Sequence, residues 1–217
     1  MLGYLMDLIC ILCAVRLPPG HSGPQLCRYC VEALPWRDYE ADTDSAPDIH
    51  RLIAPLTYDG FTADWVVRAK HQSGMIEARV LGELLALVLL ETYPDPDDRP
   101  ACLVPVPLSW QRLLMRGHNQ ATLIAEPIRR ALQIPIRHNA ARRSRHTGIQ
   151  PGRHAGQRHR NVHNAFRSRW HWRGEPLAII DDVFTSGATV SALARCLREA
   201  GAGDIHVWCA TRALPPA

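Results

Sequence analysis

The chain has 217 residues, 47% of them apolar, with a formal net charge of +4 and a pI near 8.8. That length suits one α/β domain of about 150–190 residues plus a small module, and the apolar share is enough for a normal core. The charge is mildly basic and excludes the extreme of a dedicated polycation. The basic residues are almost all arginine, and Lys70 is the only lysine.

The first fifteen residues are apolar, yet no basic segment leads them, and Asp7, Cys10 and Cys13 interrupt them. They make a poor signal peptide and are too short to span a membrane. Leu81 to Leu90 is also short and carries Glu83. The expectation is a cytoplasmic protein with no membrane insertion, whose cysteines are reduced and available for metal.

Cys10-x2-Cys13 and Cys27-x2-Cys30 are separated by thirteen residues, with Pro18, Pro19, Gly20 and Gly23 between them. Each pair can present two sulfurs to one tetrahedral ion, which predicts a structural Zn²⁺ site closed to water. Free thiols or disulfides are the alternatives. Reducing surroundings argue against disulfides, and the paired spacing against unrelated thiols. Residues 1–36 are therefore assigned to a zinc ribbon and 37–50 to an acidic, irregular linker. Residues 51–217 form the main domain, with Cys102, Cys196 and Cys209 as small core residues.

Within that domain Ile53 to Tyr58 reads as a strand and Phe61 to Lys70 as a helix, followed by a His71-to-Gly74 turn. A longer helix runs over 76–93, with Leu81, Leu84, Leu85 and Val88 facing the core. Ala101 to Val106 is a second buried strand. Arg112 and Arg116 follow it beside Gly117, where their forked side chains suit a pyrophosphate, although a solvated helix start reads similarly. A helix then runs to about Leu132.

The stretch 137–173 holds ten arginines, six histidines and no acid. It reads as a nucleic-acid contact through Arg142, Arg143 and Arg145 with Trp170 and Trp172 stacking on bases, or as a solvated loop. Its scattered histidines have no fixed partner and are not taken as metal ligands.

The domain is organised around LAIIDDVFTSGAT, residues 177–189. Leu177 to Ile180 is the apolar run of a buried parallel strand. Asp181, Asp182, Val183 and Phe184 come next, then the turn Thr185-Ser186-Gly187-Ala188-Thr189 and a helix from Val190 to Glu199. A strand, a small glycine-bearing turn and a helix N-terminus form an anion cradle. Two carboxylates beside it would repel a bare phosphate, but they fit a ligand carrying a ribose diol as well as a phosphate. A final strand, Ile205 to Ala210, ends at Thr211-Arg212.

This stretch resembles the phosphoribosyl pyrophosphate (PRPP) motif of type I phosphoribosyltransferases. The order of features along nearly the whole chain resembles the ComF-type phosphoribosyltransferase-like family, which is associated with competence for DNA uptake. Those features are the four-cysteine ribbon, Tyr58-Asp59-Gly60, Lys70 with Gly74, Pro105-Val106-Pro107 and Arg116-Gly117-His118-Asn119-Gln120. Gln150, Arg160-Asn161-Val162, Ala165-Phe166 and the acid pair follow. His118, Ser186 and His71 depart from the usual residues without removing a phosphate-binding group.

The resemblance implies a type I phosphoribosyltransferase fold, a mainly parallel sheet flanked by helices, with the ligand at its carboxyl edge. It implies PRPP with Mg²⁺ as ligands. Asp181 and Asp182 are expected on the ribose hydroxyls, residues 183 and 185–189 around the 5′-phosphate, and Lys70, Arg112 and Arg116 on the pyrophosphate. It implies a flexible loop closing over PRPP, a homodimer as the common assembly, and release of pyrophosphate to an acceptor that no segment identifies. The alternative is a non-catalytic PRPP sensor that contacts single-stranded DNA or a DNA-uptake partner.

Overall fold

The computed structural model describes residues 8–39, 48–143 and 165–214. Seven strands and six α-helices are described. The main sheet contains β1 (Arg51–Ile53), β2 (Leu56–Thr57), β3 (Cys102–Pro105), β6 (Leu177–Phe184) and β7 (Ile205–Arg212). Its order is β1-β7-β6-β3, with β2 also pairing β7, and every pairing is parallel. The continuous apolar runs of β3, β6 and β7 are buried on both faces, as central parallel strands must be. Pro55 lies in the gap between β1 and β2, so the expected single first strand is two short ones.

Helices α2 (Gly60–Arg68), α3 (Met75–Thr92) and α5 (Gln120–Leu132) cover one face of the sheet. Helix α6 (Ala188–Glu199) and an antiparallel hairpin of β4 (Ala141–Arg143) and β5 (Phe166–Ser168) cover the other. Leu81, Leu84, Leu85 and Val88 are buried, as their periodicity predicts. Gly82 lets α3 and α5 approach closely, because a Cβ there would lie 2.4 Å from the Ile124 carbonyl oxygen. A short helix, α4 (Trp110–Arg116), carries Arg112 and Arg116, in line with the helix start the sequence left open.

The cysteine module is joined to this core. Its short helix α1 (Arg28–Glu32) precedes Trp36, which bridges to Leu56, and the Arg37 amide donates to the Pro55 carbonyl at 2.9 Å. Cys10, Leu17, Leu26 and Leu34 belong to the same buried cluster as Trp65, Leu81 and Leu85. The start of the expected linker, at Arg37, is therefore tied to the domain, while residues 40–47 fall outside the described residues.

At the far end of the sheet, buried His206 accepts or donates a 2.9 Å hydrogen bond to the Tyr93 hydroxyl through Nδ1. Burial, with the nearby charge of His50, holds its imidazole down at about 4 against an ordinary 6.5. As pH falls through that window the unfolded chain binds the proton first, so stability is lost on acidification, on the order of 3 kcal/mol by pH 4. Denaturant midpoints measured between pH 7 and 4 should fall for the wild type and flatten in His206→Asn. An equal slope in both proteins would remove His206 as the cause.

Candidate functional site

Strand β6 runs four residues further than its apolar core, so the acid pair lies inside the strand near its carboxyl end. Strand alternation then sends the two carboxylates toward different layers. Asp182 shares the face of Ala178 and Ile180, on which α5 packs, and there it meets Lys70. The Lys70 Nζ to Asp182 Oδ2 distance is 3.1 Å, and the Asp182 side chain is only 6% exposed. Asp181 shares the face of Leu177 and Ile179, toward the hairpin, and its Oδ1 accepts the Asp182 amide at 3.0 Å. Burial and the adjacent Asp182 charge push the Asp181 carboxyl well above the usual carboxylate range, against a smaller opposing pull from Lys70.

Lys70 is fixed by the end of α2, where its amide donates to the Val67 carbonyl at 3.2 Å. The chain then folds tightly: a Cβ at Gly74 would fall 1.9 Å from the Arg68 carbonyl oxygen, so no larger residue fits. His118 ties this turn to the arginine segment, with Nε2 2.8 Å from the Ala69 carbonyl and Nδ1 3.1 Å from the Arg116 carbonyl. The departure at His118 therefore builds a contact between the Lys70 turn and the arginine segment.

Gly117 ends α4 at φ 74°, and Asn119 caps α5 by accepting the Ala121 amide at 3.1 Å. The Asn119 side chain also donates to the Val106 carbonyl at 3.0 Å, and the Arg116 guanidinium donates to the Gln120 side chain at 3.0 Å. Burial and neighbouring Arg112 pull the Arg116 guanidinium down, with Asp182 opposing them. The same balance acts on Arg143, where burial and Arg112 act against Asp181. Arg116 and Arg143 thus feel both the repulsion of Arg112 and the attraction of the acid pair, a field suited to a ligand carrying anionic oxygens.

The turn after β6 leaves Thr185 and Ser186 exposed, while Gly187 is buried at φ 71°. A Cβ at Gly187 would sit 2.9 Å from the Phe184 ring, so glycine is required on both counts. Ala188 and Thr189 open α6, whose unpaired amides lie at the carboxyl edge of the sheet. Arg212 lies 5.1 Å above the Phe184 ring, and the Thr211 hydroxyl donates to the Asp182 carbonyl at 3.0 Å.

In the N-terminal module the Sγ atoms of Cys10, Cys13, Cys27 and Cys30 lie within 4.8 Å of one another, and Cys13 and Cys27 are 3.7 Å apart. A tetrahedral ion with bonds of about 2.3 Å needs sulfurs about 3.8 Å apart, so the four fit Zn²⁺. Burial works to raise the Cys10 thiol, but converging amides of Cys13, Cys27 and Leu12 outweigh it and hold the thiol down to about 6. A thiolate is the form a metal takes.

Similarity to known proteins covers this whole frame. The chain is 32% identical to Competence protein F of Haemophilus influenzae over 198 residues, 89% of this chain and 84% of that one. It is 33% identical to the DNA utilization protein YhgH of Escherichia coli over 199 residues, 91% of this chain and 82% of the relative. The chain belongs to the ComF-type family. Competence protein ComFC of Bacillus subtilis is 36% identical over 112 residues, 51% of this chain and 42% of that protein. No family model matches the chain.

In this ComF-type chain the structure brings together Lys70, Asp182, Asp181, Arg112 and Arg116, which the sequence scatters over more than a hundred positions. The expected nucleic-acid set divides. Arg143 is half-buried with its guanidinium 5.4 Å from the centre of the Phe166 ring, Arg142 stands exposed on the hairpin, and Arg145 lies outside the described residues, with most of the expected loop, Gln150 and residues 160–162. Sequence reasoning missed Arg167, Arg169 and Trp110. Only strand pairing reveals that Arg167 stands opposite Arg142. No helix among the described residues is long and apolar enough to cross a membrane.

Proposed function

We propose that the protein binds PRPP at the carboxyl edge of the sheet and transfers its phosphoribosyl group to an acceptor, with release of pyrophosphate. The observation that carries this reading is buried Asp182, 3.1 Å from the Lys70 Nζ, beside half-buried Asp181 near the end of a strand that runs into a glycine-bearing turn at a helix N-terminus. Asp181 and Asp182 accept the ribose hydroxyls, and residues 185–189 hold the 5′-phosphate with amides and hydroxyls. Lys70, Arg112 and Arg116 neutralise the leaving pyrophosphate, and His118 fixes the two loops that carry them.

The acceptor's nucleophilic atom bonds to the ribose anomeric carbon as the bond from that carbon to pyrophosphate breaks. The bonding pair leaves on pyrophosphate, and the acceptor's proton passes to solvent. Catalysis here is positional and electrostatic, with no covalent nucleophile. The negative charge that pushes Asp181 up makes the pair a suitable neighbour for a divalent cation. Mg²⁺, when bound, supplies positive charge to the pyrophosphate and ribose oxygens. The N-terminal cysteines hold a structural Zn²⁺.

A second reading is favoured by the relatives' names, which carry competence and DNA utilization. In it the PRPP site is a sensor in a DNA-handling protein whose arginine hairpin contacts single-stranded DNA. Fold alone does not choose between an enzyme and a regulator.

Calorimetric titration with PRPP, with and without Mg²⁺, tests the shared part. Micromolar, magnesium-dependent binding is expected, reduced roughly hundredfold or more in the Asp181→Asn/Asp182→Asn variant because charge-assisted hydrogen bonds are lost at both positions. Unchanged affinity in that variant removes the ribose role. Pyrophosphate release in the presence of an acceptor marks the enzyme, and binding without turnover marks the sensor.

A further inference from the structure

A groove of about 960 Å³ runs between α4 and the β4–β5 hairpin. One wall presents Trp110 and Leu113, and the other presents Arg142, Arg143, Arg167 and Arg169, with no carboxylate among the described lining residues. Two features of the walls are costly in the absence of a ligand. Arg142 and Arg167 are directly opposite each other in the antiparallel register, and like charges so placed destabilise a ladder. Trp110 is 67% exposed, an indole left in water beside the arginines.

Both costs are offset by one kind of ligand. Arg169, just past the end of β5, lines the groove with Arg142 and Arg167. Three guanidinium groups then line one edge of the groove in forks suited to phosphate oxygens. The exposed indole opposite them offers a stacking face for a planar base. Arg143, next to Arg142 on β4, also lines the groove, and its guanidinium lies 5.4 Å from the centre of the Phe166 ring.

We propose that this groove binds a phosphate-bearing nucleobase ligand, with phosphate on the hairpin arginines and the base against Trp110. Its role as the acceptor's place rests on the PRPP reading; its role as a ligand site does not. The same chemistry is offered by a free nucleotide and by a unit of a polynucleotide strand.

The test titrates the full chain with thymidine 5′-monophosphate, a short oligothymidylate and inorganic phosphate, and separately with PRPP. At least one nucleotide probe should bind tenfold or more tightly than inorganic phosphate, and which one does identifies the source. In Arg142→Gln/Arg167→Gln the nucleotide affinity should fall tenfold or more while PRPP affinity stays within about twofold. That variant should melt no lower than the wild type, because it also removes the cross-strand repulsion. Trp110→Ala should erase the preference over inorganic phosphate. Equal affinity for nucleotide and inorganic phosphate in the wild type, or unchanged nucleotide affinity in the double variant, overturns the proposal. Absence of PRPP binding in the wild type ends the acceptor role, and the nucleotide titrations still decide the groove.

Discussion

Stripping metal from the four-cysteine site, by chelation or by Cys10→Ser, should lower the unfolding temperature of the whole protein rather than melt one corner of it. The reason is the shared core: Cys10, Leu17, Leu26 and Leu34 pack in one cluster with Trp65, Leu81 and Leu85. Zinc binding contributes on the order of 10–16 kcal/mol in isolated finger peptides, and an ion held by these four cysteines would lend that energy to the cluster that includes α2 and α3. Calorimetry with and without chelator, alongside zinc analysis, measures it. About one zinc per chain and a single transition that shifts down by tens of degrees are expected. A main transition that stays in place while a small one disappears would show that the module folds apart from the domain.

The second large effect belongs to Asp181. Its folded carboxyl titrates well above the unfolded one, pushed by burial and by Asp182. Between those two values the folded state holds the proton more tightly, so stability falls as pH rises through the window, and the full penalty is present above it. Asp181→Asn should therefore stabilise the ligand-free protein at neutral pH, on the order of 1 kcal/mol or more, or about 2–4 °C in Tm per kcal/mol. The same variant should bind PRPP far more weakly. A variant that is less stable than the wild type at pH 7, or whose stability keeps the wild-type pH slope, would contradict this account of the site.

Those two expectations trace the part of the molecule that could be read from residues alone. The run Leu177 to Ile180 carries its burial in its composition, and the Asp-Asp pair with Gly187 carries its chemistry in its spacing. The cysteines did the same, because two sulfurs from each short turn can meet one ion. What stayed hidden depended on distant partners. Nothing near Lys70 in the sequence points to Asp182, which lies on another element. The opposition of Arg142 and Arg167 is a property of register, and a shift by one residue would have sent them to opposite faces. Helix α4 stayed undecided because its apolar side chains at Leu113, Leu114 and Met115 are exposed, so no burial periodicity marks residues 110–116. The union of the ribbon with the core escaped for a related reason: Leu17 and Leu26 are isolated among polar neighbours and show their purpose only against α3.

The solitary lysine has a practical consequence. Its side chain is 30% exposed, within reach of small reagents but engaged with Asp182. Apart from the α-amino group, an amine-selective acylating reagent has one target in the whole polypeptide, and it sits in the proposed pyrophosphate contact. Acylation at that position removes the charge and adds bulk, so a single covalent event blocks the site, and occupancy by an anionic ligand slows it. The rate of labelling, followed by mass spectrometry, thereby becomes a direct gauge of ligand occupancy.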